Sequence, residues 1–429
     1  MIGSVIIFLI VYFFIASEKI EKSVAAILGA VAVLATGLLT FEQAVASIDL
    51  NVIFLLIGMM TCVGILGETG FFEWVAIASA KASKGNAALI LVSLLIITMV
   101  FSSFLDNVTT VILIVPVTIL ITQLLEIPTI PFLILEALAS NVGGTATLIG
   151  DPPNIIIGSK VGITFNDFIY NLAPCILVIG VVFIGLALLI LRKNLNVPAH
   201  VRARVLHSYP GLALLDKRKM WASLAVFALI FTGFFLHSVI HLEPGVIALG
   251  GMGLMLLLCK SHSDSVLKSV EWDVILFFIG LFIVIGAMEH SGAINLLAKK
   301  IIVLCGDNMI LACMLILWGS AIFSAILDNI PFVIAMTPLV QEMLKDMGQS
   351  TTGPHPLFWA LALGACLGGN GTLIGASANV VSCKLGEKNG YKISFMKFMK
   401  WGFPLMVIQV FIAMVYLWFR YFYLADGGK

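Results

Sequence analysis

A carboxylate placed where no soluble fold would put one is the strongest constraint on this chain. Leu105-Asp106-Asn107 lies between two long apolar stretches, and the same tripeptide returns 222 residues later as Leu327-Asp328-Asn329, again inside apolar sequence. An Asp at membrane depth costs ~2.5–3.5 kcal/mol on insertion scales and by default marks an ion or proton site. Two such residues, in register in two halves of one chain, point to a transporter built from a repeated unit.

Composition supports the membrane setting. The 429 residues are 61% hydrophobic and 11% charged, with mean hydropathy +1.12. Soluble domains run at roughly 45–50% apolar and about 25% charged. Apolar runs near the spanning length of about 20 residues recur along the chain. The first, Ile2–Ala16, has no leading basic region and no clear small-residue cleavage site, so it reads as a span rather than a cleaved signal peptide. The expected location is the plasma (inner) membrane, with many passes. A net charge of +1 gives no bulk attraction to nucleic acid. No GxxxxGK[ST] loop is present, and no soluble domain exists to hold one, so transport within this chain is expected to be secondary, with no cofactor and no enzymatic step. A homodimer is compatible with the sequence, and any ATPase subunit would be a separate chain. None of the seven cysteines forms a CxxC pair. They read as small buried hydrophobes; convergence of three thiols on a soft metalloid is the alternative, and no metal site is expected.

The repeat extends beyond the tripeptide. Ile48-Asp49-Leu50-Asn51-Val52-Ile53 resembles Val270-Glu271-Trp272-Asp273-Val274-Ile275 at the same offset of 222, and Gly70 falls on Gly292 and Pro116 on Pro338. The run from Gly143 to Asn154, GGTATLIGDPPN, matches Gly368 to Asn379, GGNGTLIGASAN, at an offset of 225. Each half therefore reads alike. Three spans (2–16, 24–40 and 50–66, against 221–240, 245–259 and 272–288) precede an amphipathic interfacial piece (71–84 or 293–304). An apolar stretch broken by Leu-Asp-Asn follows (87–123 or 309–343), then a Gly-rich stretch (133–160 or 357–385) and a last span (170–191 or 401–421).

The Leu-Asp-Asn stretches look too short for two full spans, so a re-entrant hairpin is expected, with a continuous kinked span as the alternative. Non-helical backbone at that depth needs protein or a water-filled cavity around it. The Gly-rich stretches read as broken helices, unwound over Gly143–Pro153 and Gly368–Ala378. A hairpin adds no crossing, which leaves five crossings per half. Five is odd, so the second half must enter from the opposite side. The fold class expected is an all-α polytopic membrane protein of two inverted repeats of five transmembrane helices, each with a re-entrant hairpin and a broken helix. The repeats occupy 1–192 and 220–429, joined by a linker at 193–219. The connector Arg192–Lys219 carries seven basic residues against Asp216, which places it in the cytoplasm and both termini outside. On this scheme Lys19 and Lys22 lie at the cytoplasmic face.

Tips and breaks of this kind bring backbone groups and small polar side chains together at the midplane. In the first half the candidate substrate- and ion-binding residues are Asp106, Asn107, Thr109, Thr110, Asn141, Thr145, Thr147, Asp151 and Asn154. In the second they are Asp328, Asn329, Asn370, Thr372, Ser377 and Asn379. The plainer role for any one Thr, Ser or Asn is interhelical hydrogen bonding. Asp106 and Asp328 resist that reading and are the candidate proton-coupling residues, because a carboxyl stripped of water favours its neutral form. No intramembrane Lys or Arg is evident opposite Asp106, Asp151 and Asp328. The site thus suits a cation, a proton or a neutral hydroxylated solute better than a multiply charged anion.

The pair FLDNVTT and GGTATLIGDPPNIIIGS, repeated as LDNIPFVIAMTP and GGNGTLIGASANVV, resembles the ion transporter superfamily over essentially the whole chain. Within it, the likeness is greatest to the group of the arsenite permeases and the pink-eyed dilution P-protein. The resemblance implies two inverted repeats moving by an elevator-like mechanism. It sets Asp106-Asn107-Val108 against the Ser-Asn-Thr tip motif of sodium–dicarboxylate symporters, and Gly143–Asn154 against their broken-helix sodium loop. Asp in place of Ser at both tips favours proton or cation exchange over dicarboxylate recognition. What this implies is export of arsenite or antimonite, small inorganic solutes, as neutral hydroxides against inward protons. Sodium/proton antiport, and sodium- or proton-coupled symport of a dicarboxylate-type anion, are the alternatives.

Overall fold

A computed structural model describes residues 1–17, 19–206, 209–261, 264, 268–305 and 308–424. Residues 425–429, on which the expected external C-terminus falls, lie outside the described residues. Among the described residues the chain is all helix and turn, without strand. Eight of the helices are long and apolar enough to cross a membrane by length and composition.

The first half opens with α1 (Ile2–Ser17), α2 (Lys22–Ala35), the short α3 (Phe41–Ser47) and α4 (Leu50–Gly67). The amphipathic α5 (Phe71–Ala82) follows, then α6 (Ala87–Phe104) and α7 (Asn107–Leu124) on either side of the first Leu-Asp-Asn motif. Next come α8 (Thr129–Gly144) and α9 (Pro152–Val161), the two parts of the Gly-rich stretch, and the long α10 (Phe165–Leu191). A connector helix, α11 (Ala199–Leu206), leads to the second half: α12 (Lys217–Ile240), α13 (Pro244–Leu258), α14 (Trp272–His290), α15 (Ala293–Cys305), α16 (Met309–Ile326), α17 (Asn329–Asp346), α18 (Pro356–Gly368), α19 (Ser377–Lys388) and α20 (Phe395–Trp418).

Local chemistry explains where these helices start and bend. Asn86 and Asn308 cap α6 and α16 through their side-chain oxygens. Thr40 and Thr164 form capping boxes with Gln43 and Asp167. Proline inside α7 (Pro116) and α17 (Pro338) falls at matched positions and removes a backbone donor from each helix. The last helices begin earlier than expected, at Phe165 and Phe395 rather than 170 and 401, because Thr164 and Ser394 provide the caps.

Helices of one half pack on helices of the other. α2 lies along α14, and α4 along α13. A Cβ on Gly280 would sit 2.5 Å from the carbonyl carbon of Ala26, and one on Gly58 would sit 2.6 Å from that of Ala248. The two contacts are one contact repeated, since 26 + 222 = 248 and 58 + 222 = 280. Contact of i with j + 222 and of j with i + 222 is the signature of a two-fold relation between halves. Each glycine lets two backbones approach within van der Waals distance, a close fit that membrane helices use in place of hydrophobic drive.

Each Leu-Asp-Asn motif is a sharp reversal between two 18-residue helices, which rules out a continuous kinked span. Ser102 on α6 and Asn107 on α7 both reach Ser140 of α8. Thr118 then meets Glu136, and Thr122 meets Thr129, so α7 runs antiparallel to α8. Each arm spans about 27 Å at 1.5 Å per residue, so the arms are not too short to cross. What makes the hairpin is the fold-back at the tip.

The breaks are shorter than expected. α8 stays helical through Gly144 and α9 resumes at Pro152; α18 runs to Gly368 and α19 resumes at Ser377. Pro152 and Pro153 open α9 instead of lying in the unwound part, since a helix start has no need of those two N–H groups. Gly143 and Gly368 allow α8 and α18 to touch the backbones of Met99 and Ala321, the residues at matched positions of α6 and α16.

Overpacking costs ~1–3 kcal/mol even where neighbours can move. Gly58→Ala and Gly280→Ala are therefore expected to lower the thermal-unfolding midpoint in detergent. Gly253→Ala, which has open space around it, should leave that midpoint unchanged.

Candidate functional site

The tripeptides perform a local task first. Leu105 is extended, and Asp106 caps α7 by accepting from the backbone N–H of Val108 (3.0 Å) and Thr109 (3.1 Å), and from the Thr109 hydroxyl (3.3 Å), all on Oδ2. Asp328 caps α17 by accepting from the Ile330 N–H at 3.1 Å. Helix starts favour Asp for this bond and for the helix dipole. That role uses one oxygen of each carboxylate.

Around the tips lies a small cavity of 30 Å³, lined by Met60, Asp106, Asn107, Asn141, Asp151, Glu271, Asn329 and Ser377 with apolar neighbours. That is room for about one water-sized guest. Asp151, at the start of α9, is buried and accepts from Asn329 Nδ2 at 3.4 Å on Oδ1. Its Oδ2 has no hydrogen-bond partner, which is costly for a buried polar atom unless a guest or proton meets it. Thr109 lines a neighbouring pocket with Asp106 and Met60.

Other expected site residues hold the breaks in place rather than facing the cavity. Asn154 Nδ2 donates to the carbonyls of Thr145 (3.1 Å) and Thr147 (2.8 Å), and Asn379 Nδ2 to those of Gly369 (2.8 Å) and Thr372 (2.9 Å). The hydroxyls of Thr147 and Thr372 donate to the carbonyls of Ser103 and Ala325, at matched positions of the two tips. The Thr145 hydroxyl bonds back to the Asn141 carbonyl at 2.7 Å. Asn141 joins the two halves, because its Nδ2 donates to Asn370 Oδ1 (2.8 Å) and Asn379 Oδ1 (3.0 Å). At the position matching Asn141, the Cys366 thiol contacts Asn154 Oδ1 at 3.6 Å. Asn370 is further tied to Gln409 at 2.8 Å. Thr110 is buried on α7 with its hydroxyl unpartnered.

The expectation that no cation faces the carboxylates is overturned. Lys22, the first residue of α2, puts its Nζ 2.5 Å from Asp328 Oδ2. Ser377 donates to the same oxygen at 3.2 Å, and the Tyr12 hydroxyl donates to the Pro331 carbonyl beside it. Lys22 reads as loop charge because it follows Glu18-Lys19-Ile20-Glu21, yet the helix it opens begins at the tip. Asp106 has no ion pair among the described residues, and it faces a third acid, Glu271. The repeat had flagged Glu271 as the match of Asp49. A further buried acid, Glu136, bonds Thr118 on α7; its match in the second half is Leu361.

Two larger crevices open at the end of the bundle where α4 and α13 begin, of 320 and 480 Å³. Asn51, Ser159 and Glu243 line both. Leu55 and Ile155 line both the smaller crevice and the pocket at Asp106, and so divide the two. Among the described residues no three His, Cys, Asp or Glu side chains are disposed to hold a metal ion. The six cysteines whose side chains are described are free thiols.

The arrangement is similar to known transporters. An uncharacterised transporter of Mycobacterium tuberculosis is 43% identical over 425 residues, covering 98% of this chain and 99% of the relative. The P protein of Homo sapiens is 34% identical over 490 residues, covering 95% of this chain and 58% of that protein. Among solved structures, the YdaH transporter of Alcanivorax borkumensis superposes with TM-score 0.62 at 15% identity, covering 88% of this chain and 87% of that one. MtrF of Neisseria gonorrhoeae, described with a class of antimetabolite efflux pumps, gives 0.61 at 12% identity, covering 97% and 94%. At those identities the likeness is one of fold. The profile of the CitMHS family, described as citrate transporters, matches residues 12–364. This chain is a membrane transporter and belongs to the CitMHS family.

Proposed function

We propose that the chain is a proton-coupled secondary transporter of the plasma (inner) membrane, working by alternating access, whose hairpin tips and helix breaks form one ion and solute site. Asp106 and Asp328 carry the coupling proton, and the two halves are inverted about an axis in the membrane plane. The observation that carries the reading is the cavity between the tips, where Asp106, Asp151 and Glu271 gather with Asn107, Asn141, Asn329 and Ser377. A partnerless buried oxygen on Asp151 leaves one place for a proton or a small guest.

Carboxylates and amides without a free ammonium suit a neutral hydroxylated solute. Export of arsenite or antimonite against protons is the cargo reading that fits this inventory. Asn107, Asn141 and Asn329 offer several weak hydrogen bonds that can be made and broken in each cycle. Sodium/proton exchange needs the same acids and no cargo pocket. A second cargo reading comes from the family's description as citrate transporters. A bare tricarboxylate would meet three acids and one ammonium already held by Asp328. A polycarboxylate would have to enter protonated or joined to a cation that neutralises it. Everted vesicles tested with arsenite, sodium, citrate and citrate plus magnesium, each against an imposed pH gradient, separate these readings. Gradient-dependent arsenite uptake supports the first, and flux of citrate alone in its fully charged form would sink it.

Asp106→Asn and Asp328→Asn should each abolish proton-coupled flux while expression and folding stay near normal. Asn remains a good helix cap but cannot release a proton. Wild-type coupled flux in either variant would remove that residue from the mechanism.

Thiolate binding would hold a trivalent metalloid too tightly for rapid release, and no cluster of three Cys, His or acidic ligands is present among the described residues. Replacing all seven cysteines with Ser or Ala should therefore leave arsenite resistance intact in a sensitive host. Resistance lost with the protein still in the membrane would point to thiol coordination.

A further inference from the structure

The ion pair between Lys22 and Asp328 joins two groups of helices. Lys22 opens α2, which packs on α1 and α14. Asp328 sits at the tip between α16 and α17, whose neighbours are α18, α9 and α15 as well as α14. Asp328 is almost fully buried, with its side chain 2% exposed against 28% for Lys22. Among the described residues the first tip has nothing equivalent. The residue matching Lys22 at the offset of 222 is Pro244, and Asp106 faces Glu271 instead.

We propose that Lys22 is the built-in counter-cation that expels the coupling ion from Asp328 each time the second tip returns to α2. The step balances as a protonated Asp328 carboxyl meeting the Lys22 ammonium, forming the carboxylate–ammonium pair and releasing one proton to solvent on the Lys22 side. A sodium ion on Asp328 would be displaced by the same exchange of one cation for another. When the tip leaves α2 the pair breaks, and Asp328 must take up a new cation.

The two-fold relation indicates what it meets on the other side. Exchanging the halves replaces Lys22 by Pro244 and Glu271 by Asp49. Asp49 now lines the larger crevice, where it caps α4 through the Val52 N–H at 3.2 Å. In the exchanged arrangement Asp328 faces this carboxylate rather than an ammonium. Two like charges at one site favour uptake of a proton between them. Loading on one side and discharge on the other thus follow from which fixed charge the tip meets. This step rests on the alternating-access reading above and deepens it.

Among the described residues, Lys22 and Tyr12 face Asp328, and Asp151 feels the charges of both tip aspartates. Glu271 lies with Asp106 at the cavity and feels its charge. Elsewhere on the packed helices, Lys160 is paired with Glu289 at 3.0 Å and Lys345 with Glu342 at 3.2 Å. Lys299 and Lys300 are exposed.

Two measurements test the proposal, and the first needs no cargo. Infrared spectra of the detergent-purified wild type should lack the protonated-carboxyl band of Asp328 at neutral pH. Lys22→Gln should show that band, and adding Asp328→Asn should remove it. Lys22→Arg, and Lys22→Cys converted to an ammonium with an aminoethyl thiosulfonate, should match the wild type. No new band in Lys22→Gln overturns the proposal. The second measurement uses proteoliposomes with arsenite as the probe. Lys22→Gln should retain arsenite exchange yet lose net proton-coupled flux, and alkaline buffer on the Lys22 side should restore it. Normal net flux in this variant, or loss of exchange and net flux together in both Gln and Arg variants, also overturns it. Absence of arsenite flux in the wild type removes the cargo reading, and the infrared result then decides the role of Lys22.

Discussion

Everything in the site depends on how two interrupted helices are held together where water is scarce. A break inside a membrane protein exposes backbone N–H and C=O groups that must be satisfied by protein. Here Asn154 and Asn379 take up the freed carbonyls of their own breaks. Asn141 then binds the second break through Asn370 and Asn379. The Asn141 amide thus helps tie the two halves at the level of the tips. The glycines at 143 and 368 bring the tips' own helices against the same place. With the scaffold so fixed, Asp106, Asp151 and Asn329 are presented to one small cavity.

The two halves share a frame and differ in charge. Matched contacts recur throughout: Ser102 and Ser324 each donate to a carbonyl of the broken helix, and Thr147 and Thr372 each donate to a tip carbonyl. The acids do not follow that symmetry. Asp151 is matched by Ala376, Glu136 by Leu361 and Lys22 by Pro244. On the proposed alternating-access cycle, a frame that repeats lets the molecule adopt two related arrangements. Charges that do not repeat make those arrangements bind ions differently, and only a differential interaction can couple an ion to a conformational change.

Much of the frame was legible in the sequence, because helix breaks demand unusual residues. Gly, Pro and a capping Asp at fixed spacing mark the tips and breaks, and the offset of 222 ties one half to the other. Which polar residues face the cavity was less legible. Thr145, Thr147, Asn154, Thr372 and Asn379 are the residue types a site would use, yet they spend their hydrogen bonds on backbone. Lys22 was hidden for the opposite reason, since a basic residue in a polar run reads as loop. Its place at the tip is set by the helix it opens, a tertiary fact. Glu271 could have been found, because the repeat pairs it with Asp49 at the end of an otherwise apolar match.

The central claim is that the two halves are inverted, since alternating access by exchange of matched contacts requires it. The most direct measurement places one tag at Gly211, in the connector, and another after Lys429. Both are probed with a membrane-impermeant label in intact spheroplasts. The account predicts that the C-terminal tag is labelled and the connector tag protected, because five crossings separate them. Protection of both tags, or labelling of both, would mean an even number of crossings in the second half and would contradict the inverted arrangement.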